Sequence, residues 1–169
     1  MGKSGFIVMI SVIFLLAAVV VLWFINDGGV NREGGGETIA ITENGETIAD
    51  MDMDYIKSLE SATFKAAIRS SANKPEDVEY TGVPLKSLLE GKGIALDGKT
   101  QIVVKGIDGY MASLSMDEFE KKDIYIAYEM DGKPMKPKGQ NGYGPFQLVI
   151  PGDSFSQRWC KFVCEVEIK

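Results

Sequence analysis

Residues 6–25 read FIVMISVIFLLAAVVVLWFI, an apolar run in which Ser11 is the only clearly polar side chain. As a helix rising about 1.5 Å per residue, such a run spans a hydrocarbon core of about 30 Å. The apolar region of a secretory signal peptide is shorter, about 7–15 residues, and ends at a small-residue cleavage site. Here the chain continues as Asn26-Asp27-Gly28-Gly29, and no cysteine follows closely to carry a lipid. An uncleaved transmembrane anchor over residues 1–26 is therefore expected, with a cleaved signal as its rival. Lys3 precedes the run, and Asp27 is the first charge after it. The positive-inside bias then predicts a single-pass protein of the cell membrane, with its N-terminus cytoplasmic and the rest outside the cytoplasm.

A glycine-rich linker follows over residues 27–37, beginning DGGVNREGGG. Such a stretch is a flexible tether without packing capacity. Residues 38–169 are left as one domain of ordinary size. The chain is 45% apolar and 25% charged, a globular composition. It has no histidine, which excludes Ser-His-Asp and Cys-His hydrolysis and His-ligated zinc or haem. Two cysteines cannot by themselves complete a structural zinc site. A net charge of −6 leaves no electrostatic footprint for nucleic acid, so no such partner is expected.

Turn chemistry divides the domain. Asn44-Gly45 between 39–42 and 46–48 signals a hairpin. Asp54 is placed to cap a short helix from Tyr55 to about Ser61. Residues 63–70 read as a strand. Pro84 suits the first position of a helix whose Leu85, Leu88 and Leu89 share a face, and Gly91 or Gly93 would end it. Residues 102–105 read as a strand, and Asp108-Gly109 as a turn. Ser115 and Glu118 form a capping box for a helix through Phe119. Further strands are expected over 124–130, closed by Asp131-Gly132, over 146–150, and over 158–168. The pattern predicts an α+β domain, strand-rich and with mixed sheets.

Four features could carry chemistry. Period-two alternation in the last strand puts Cys160, Phe162, Cys164, Val166 and Ile168 on one apolar face. Core packing accounts for that face; a reactive or metal-binding thiol is the alternative. A disulfide is not expected, because four residues of strand separate the two by about 13 Å, beyond the usual Cα limit of about 7 Å. Asp50, Asp52 and Asp54 alternate in DMDMD, which could offer oxygens to calcium but lacks the central glycine and distal glutamate of a calcium loop; capping is the competing reading. The stretch 139–145, GQNGYGP, is no P-loop, since neither Lys-Ser/Thr nor a helix follows. It is either a surface loop or a ligand-contacting loop whose glycines admit close approach, with Tyr143 and Asn141 able to stack on and bond to a flat heterocycle. Arg158 and Lys161 are the candidate anion-binding pair. Residues three apart on a strand face opposite sides, so they converge only if Arg158 belongs to the preceding turn.

Several stretches occur in a suggestive order: YTGVPL at 80–85 with Leu88-Leu89, DGY at 108–110, IAYEMDGKPM at 126–135, GPFQLVIPG at 144–152, and RWCKF at 158–162. Together they resemble the molybdopterin-binding domain of the sulfite oxidase family, most of all its small stand-alone members, over residues 38–169. The resemblance implies a mixed α/β fold around strand-rich sheets and a pterin-type ligand held between loops. It implies that Arg158 and Lys161, as the family's Arg-x-x-Lys, help hold the cofactor phosphate, and that Gly144-Pro145 leads into the next strand. The chain departs from the family twice. The enzymes usually carry arginine where Gln147 stands. They bind molybdenum through a cysteine in the segment that here reads FKAAIRSSAN, residues 64–73, which has none. Ser70 is a poor substitute for a thiolate, which fixes the metal and tunes its potential.

The expected function is therefore a membrane-anchored module outside the cytoplasm, attached through residues 6–25, that binds molybdopterin or another pterin without redox chemistry or a metal of its own. It would act as a sensor or an accessory subunit. Arg158 and Lys161 would meet anionic groups, while Tyr110, Asn141, Tyr143, Gly144 and Gln147 would shape the pocket. The alternatives are a molybdopterin-dependent oxidoreductase without a cysteine ligand, and a ligand-free domain that docks a membrane or envelope protein.

Overall fold

Asn44 and Gly45 both take positive φ, 51° and 83°, as a tight two-residue hairpin requires. They join β1 (Thr38–Glu43) to β2 (Glu46–Asp52). The structure is a computed structural model that describes residues 37–69 and 74–169. The expected anchor, nearly all of the expected linker, and Ser70 lie outside the described residues. Among the described residues, no helix is long and apolar enough to cross a membrane.

The first helix, α1 (Met53–Ser58), is capped by Asp52 rather than Asp54. Asp52 is extended, and its carboxylate accepts the Tyr55 N–H at 2.8 Å. Asp54 falls in the first turn, where its charge meets the positive end of the helix dipole. The expected strand 63–70 is β3 (Ala62–Ile68), and it pairs antiparallel with β4 (Glu76–Pro84). Pro84 directly precedes α2 (Leu85–Gly91), whose Leu85, Leu88 and Leu89 are fully buried. Gly93 ends it with φ 68°: its N–H bonds Glu90 O, and the Ile94 N–H bonds Leu89 O, a Schellman closure.

Next come β5 (Gln101–Gly106), β6 (Met111–Ser115) and α3 (Met116–Lys121). Ser115 caps α3 through the Glu118 N–H, but the Glu118 carboxylate is taken up elsewhere, by Arg158 and Lys122. The chain ends with β7 (Tyr125–Met130), β8 (Lys133–Pro134), β9 (Gln147–Val149) and β10 (Val163–Ile168).

Two sheets result. The first runs β2-β1-β10-β5-β6, with β1 and β10 parallel and the other pairs antiparallel. The second runs β3-β4-β7 in antiparallel order, with β8 and β9 sharing the far edge of β7. Ile39, Ile41, Ile102, Leu114 and Val166 of the first sheet join Tyr80, Ile126, Leu148 and Phe146 in one apolar cluster. Each such Leu or Ile withdrawn from water contributes about 1.5–3 kcal/mol. The strand-rich α+β expectation is met.

The last strand is shorter than its alternation suggests. Residues Ser156–Arg158 form a 3-10 turn, and Phe162 has φ 54°. A register shift between Val163 and Glu165 breaks the period-two pattern, so Cys160 is fully buried while Cys164 is only half-buried. The two thiols do not share a strand face as expected.

The glycine of the YTGVPL stretch has a packing role. At the register shift between β4 and β7, a Cβ on Gly82 would lie 2.6 Å from Ile126 O and 2.7 Å from Ala127 Cα. These are backbone atoms that yield only if the strands part. Gly82→Ala should lower stability by about 1–3 kcal/mol, read as a reduced urea midpoint; an unchanged midpoint would contradict this close approach.

Candidate functional site

Three stretches of chain meet at a cavity of about 310 Å3: the end of β3 with Ile68 and Arg69, the start of β9 with Gln147 and the nearby Tyr143, and the segment bearing Ser156, Gln157, Trp159 and Lys161. Each is held by backbone bonds. The loop before β9 folds tightly on residues 135–137: Gly144 N–H bonds Lys136 O at 2.8 Å and Gly142 N–H bonds Pro137 O at 3.2 Å. A Cβ on Gly142 would overlap the Lys136 carbonyl, so only glycine fits. The Gly144-Pro145 peptide is cis. Tyr143 O then accepts the Phe162 N–H at 3.0 Å, tying this loop to the segment that carries Lys161. The Lys161 ammonium sits 3.8 Å from the centre of the Tyr143 ring, a cation–π contact that fixes both side chains.

Ser156 brackets the opposite wall. Its N–H and its hydroxyl donate to Arg69 O at 3.1 and 2.9 Å, and its Oγ accepts the Arg69 N–H at 3.0 Å. The floor is Gln147 and Trp159, both nearly fully buried. The Trp159 ring meets Tyr80 edge-on at 6.2 Å. Among the described residues, Trp159 Nε1, Gln147 Oε1 and the Tyr80 hydroxyl are buried without a hydrogen-bond partner, an uncommon condition in a folded interior. Burial pushes the Tyr80 hydroxyl up to about 12, so it stays a neutral donor. Arg69 and Lys161 are the charged residues of the lining, which makes the cleft a positive spot on an acidic chain.

The expected site residues divide. Lys161, Tyr143 and Gln147 are brought together, and Gly144 shapes the loop behind them. Asn141 is exposed at the left-handed end of the Lys138–Gln140 turn and does not line the cleft. Tyr110 is 40% exposed, and its hydroxyl donates to Gln157 O at 2.7 Å. Arg158 does lie in the turn, yet it does not converge with Lys161. It lines a separate cavity of about 400 Å3 with Glu118, Lys122 and Asp153. Its guanidinium donates from Nη1 to Glu118 Oε2 at 3.1 Å and from Nη2 to Asp153 Oδ1 at 2.7 Å. Closer bonds run from Nε to Asp153 and from Nη2 to Glu118. Two carboxylates within reach have captured this cation. Arg69, Ser156 and Trp159 were not singled out from sequence. Arg69 stands in the cysteine-free segment 64–73, where its basic side chain is its only signal.

The donor set of the cleft fits a molybdenum pterin in part. A cation pair, an aromatic wall and unmet polar atoms in the floor suit a flat anionic heterocycle. A protein thiolate for the metal is lacking. The only cysteines are Cys160 and Cys164, and neither lines the cleft. Cys160 is fully buried against Tyr110 O and Lys161 O, and burial pushes its thiol up to about 12, with Asp108 and Cys164 adding to the effect. Such a thiol stays protonated and is a poor ligand.

The described residues thus form a strand-rich α+β domain with a cationic cleft between loops. Residues 37–169 match the oxidoreductase molybdopterin binding domain family, and the chain belongs to it. Among solved structures it is similar to the sulfane dehydrogenase SoxCD from Paracoccus pantotrophus, at 21% identity and a TM-score of 0.64. The match covers 78% of this chain and 37% of that one, so the likeness is one of fold to part of a longer protein. No curated protein sequence matches the chain.

The Arg158 cluster has a pH signature. Hydrogen bonding to Arg158 holds the Glu118 carboxyl at about 2 instead of 4.5; burial opposes this and Lys122 assists it. The Asp153 carboxyl is buried, which raises it, but bonds from Arg158 and Lys122 outweigh that and hold it low. A carboxyl depressed in the folded state stabilises the fold above its unfolded value, and that contribution is lost as pH falls toward the folded value. Glu118→Gln should therefore cost about 1–2 kcal/mol at neutral pH, allowing for solvent screening. It should also flatten the loss of stability between pH 4.5 and about 2. Urea midpoints across that range check it; parallel profiles for the two proteins would contradict it.

Proposed function

We propose that this chain is a ligand-binding module that holds a molybdopterin-type or other anionic pterin without redox chemistry of its own, as a sensor or accessory subunit. The observation that carries the reading is a cleft with two cations and unmet polar atoms but no thiolate in reach. Lys161 and Arg69 neutralise the ligand's anionic group. The Tyr143 ring, braced by Lys161, offers a face for stacking. Trp159 Nε1–H and Gln147 Oε1 offer one donor and one acceptor to a ring seated on the floor. Molybdopterin in such domains supplies the sulfur ligands of a redox-active metal; this chain's residues bind and orient only the organic part. The apolar run at 6–25 and the charges flanking it support placing the module at the cell membrane, outside the cytoplasm.

One observation favours a second reading: membership of an oxidoreductase family. On that reading molybdenum would be held without a protein thiolate. Metal analysis after expression in a host that makes the cofactor separates the two, since stoichiometric molybdenum supports the enzyme and its lack the module.

The binding reading is tested with 6-carboxypterin, titrated against the full chain by fluorescence. Saturable binding is expected. Lys161→Ala should weaken it about tenfold, the loss of one charge-assisted contact, while Lys65→Ala, an exposed lysine on β3, should leave it unchanged. A linear titration, or equal loss in both variants, would overturn the reading.

A further inference from the structure

We propose that Arg158 is a positioning residue: it holds the wall of the pterin cleft in place and does not touch the ligand. The proposal rests on reading that cleft as the binding site.

Four of the five N–H donors of the guanidinium are already engaged. Nε, Nη1 and Nη2 all donate to Glu118 or Asp153. Lys122 reaches the same two carboxylates at 2.7 and 3.1 Å. Two cations and two anions thus close on themselves, and no charge is left over for a bound anion. The side chain of Asp153 is only 6% exposed, so removing Arg158 would leave a nearly buried carboxylate with Lys122 as its one remaining cation.

The position of this cluster in the chain gives it a further role. Asp153 and Arg158 stand five residues apart, so their bonds close the intervening loop on itself. Glu118, on α3, and Lys122, just beyond it, dock that closed loop. Nothing apolar holds it otherwise: Phe155 is 57% exposed, and no residue of Ser156–Arg158 is buried. Ser156, inside the loop, brackets the Arg69 backbone, which is one wall of the cleft. Trp159 and Lys161 follow directly and form the floor and the opposite wall. Gln157 lines both cavities. Two sides of the cleft therefore depend on a loop that the charge cluster closes, with the Ser156 bracket and the Tyr110 hydroxyl on Gln157 O as its other ties. A lysine at 158 keeps the charge but lacks the planar fork that engages both carboxylates.

The chain has two tryptophans, Trp23 and Trp159, so a Trp23→Phe background makes Trp159 the reporter. In the full chain, acrylamide quenching of Trp159 and affinity for 6-carboxypterin are measured for Arg158→Gln, Arg158→Lys and Lys161→Ala. Arg158→Gln should raise quenching about twofold and weaken affinity about tenfold, with Arg158→Lys between it and the parent. Lys161→Ala should weaken affinity with quenching unchanged. Glu118→Gln keeps the Asp153–Arg158 bonds and serves if Arg158→Gln does not fold; it should move both readouts in the same direction by less. Unchanged quenching in the Arg158 and Glu118 variants would overturn the proposal. So would an affinity loss in Arg158→Gln with unchanged quenching and the same reduced salt dependence as Lys161→Ala, the mark of direct contact. If the parent binds no pterin, the binding reading fails while the quenching comparison still decides the role of Arg158.

Discussion

Arg158, Lys122, Glu118 and Asp153 bond one another where the chain crosses from β9 to β10, and the cleft takes its form from that closure. Most of the fold is held by apolar burial between two sheets, which tolerates exchange of one apolar side chain for another of similar volume. The middle of the crossing has no such support, although Ile150, Trp159, Cys160 and Phe162 at its two ends are buried. Residues 154–158 contribute no buried side chain, and the charge-assisted bonds around Arg158 fix the path that delivers Ser156, Trp159 and Lys161. A guanidinium suits this task because its fork satisfies two carboxylates at once.

Local signals were the legible part of the sequence. Asn44-Gly45, Ser115 as a cap, Pro84 ahead of three buried leucines, and Asp131-Gly132 with positive φ at both residues all act through their own backbone neighbourhood. β4 was hidden because Glu76, Asp77 and Glu79 mask the inward positions of Val78 and Tyr80. Period-two counting failed at the C-terminal end, where a left-handed Phe162 and a register shift move the thiols off a common face. Helix 53–58 was read two residues late because Asp52 and Asp54 are equally good caps by type.

The site was legible in its residues more than in its partnerships. Lys161, Tyr143 and Gln147 meet at one cleft. Arg158 differs because a side chain's destination depends on carboxylates 5 and 40 residues away, and spacing in the sequence is blind to them. Arg69 enters the cleft through the Ser156 bracket, 87 residues distant. The family's shape has been kept, while the sulfur that would tie it to a metal has not: both thiols lie elsewhere, and the more buried one is held protonated.

Native mass spectrometry of the full chain, purified from a host that synthesises molybdopterin, tests the central claim most directly. The account predicts a non-covalent mass increment of a metal-free pterin that is lost on denaturation. A retained increment that includes molybdenum, or the mass of the bare chain alone, would contradict it.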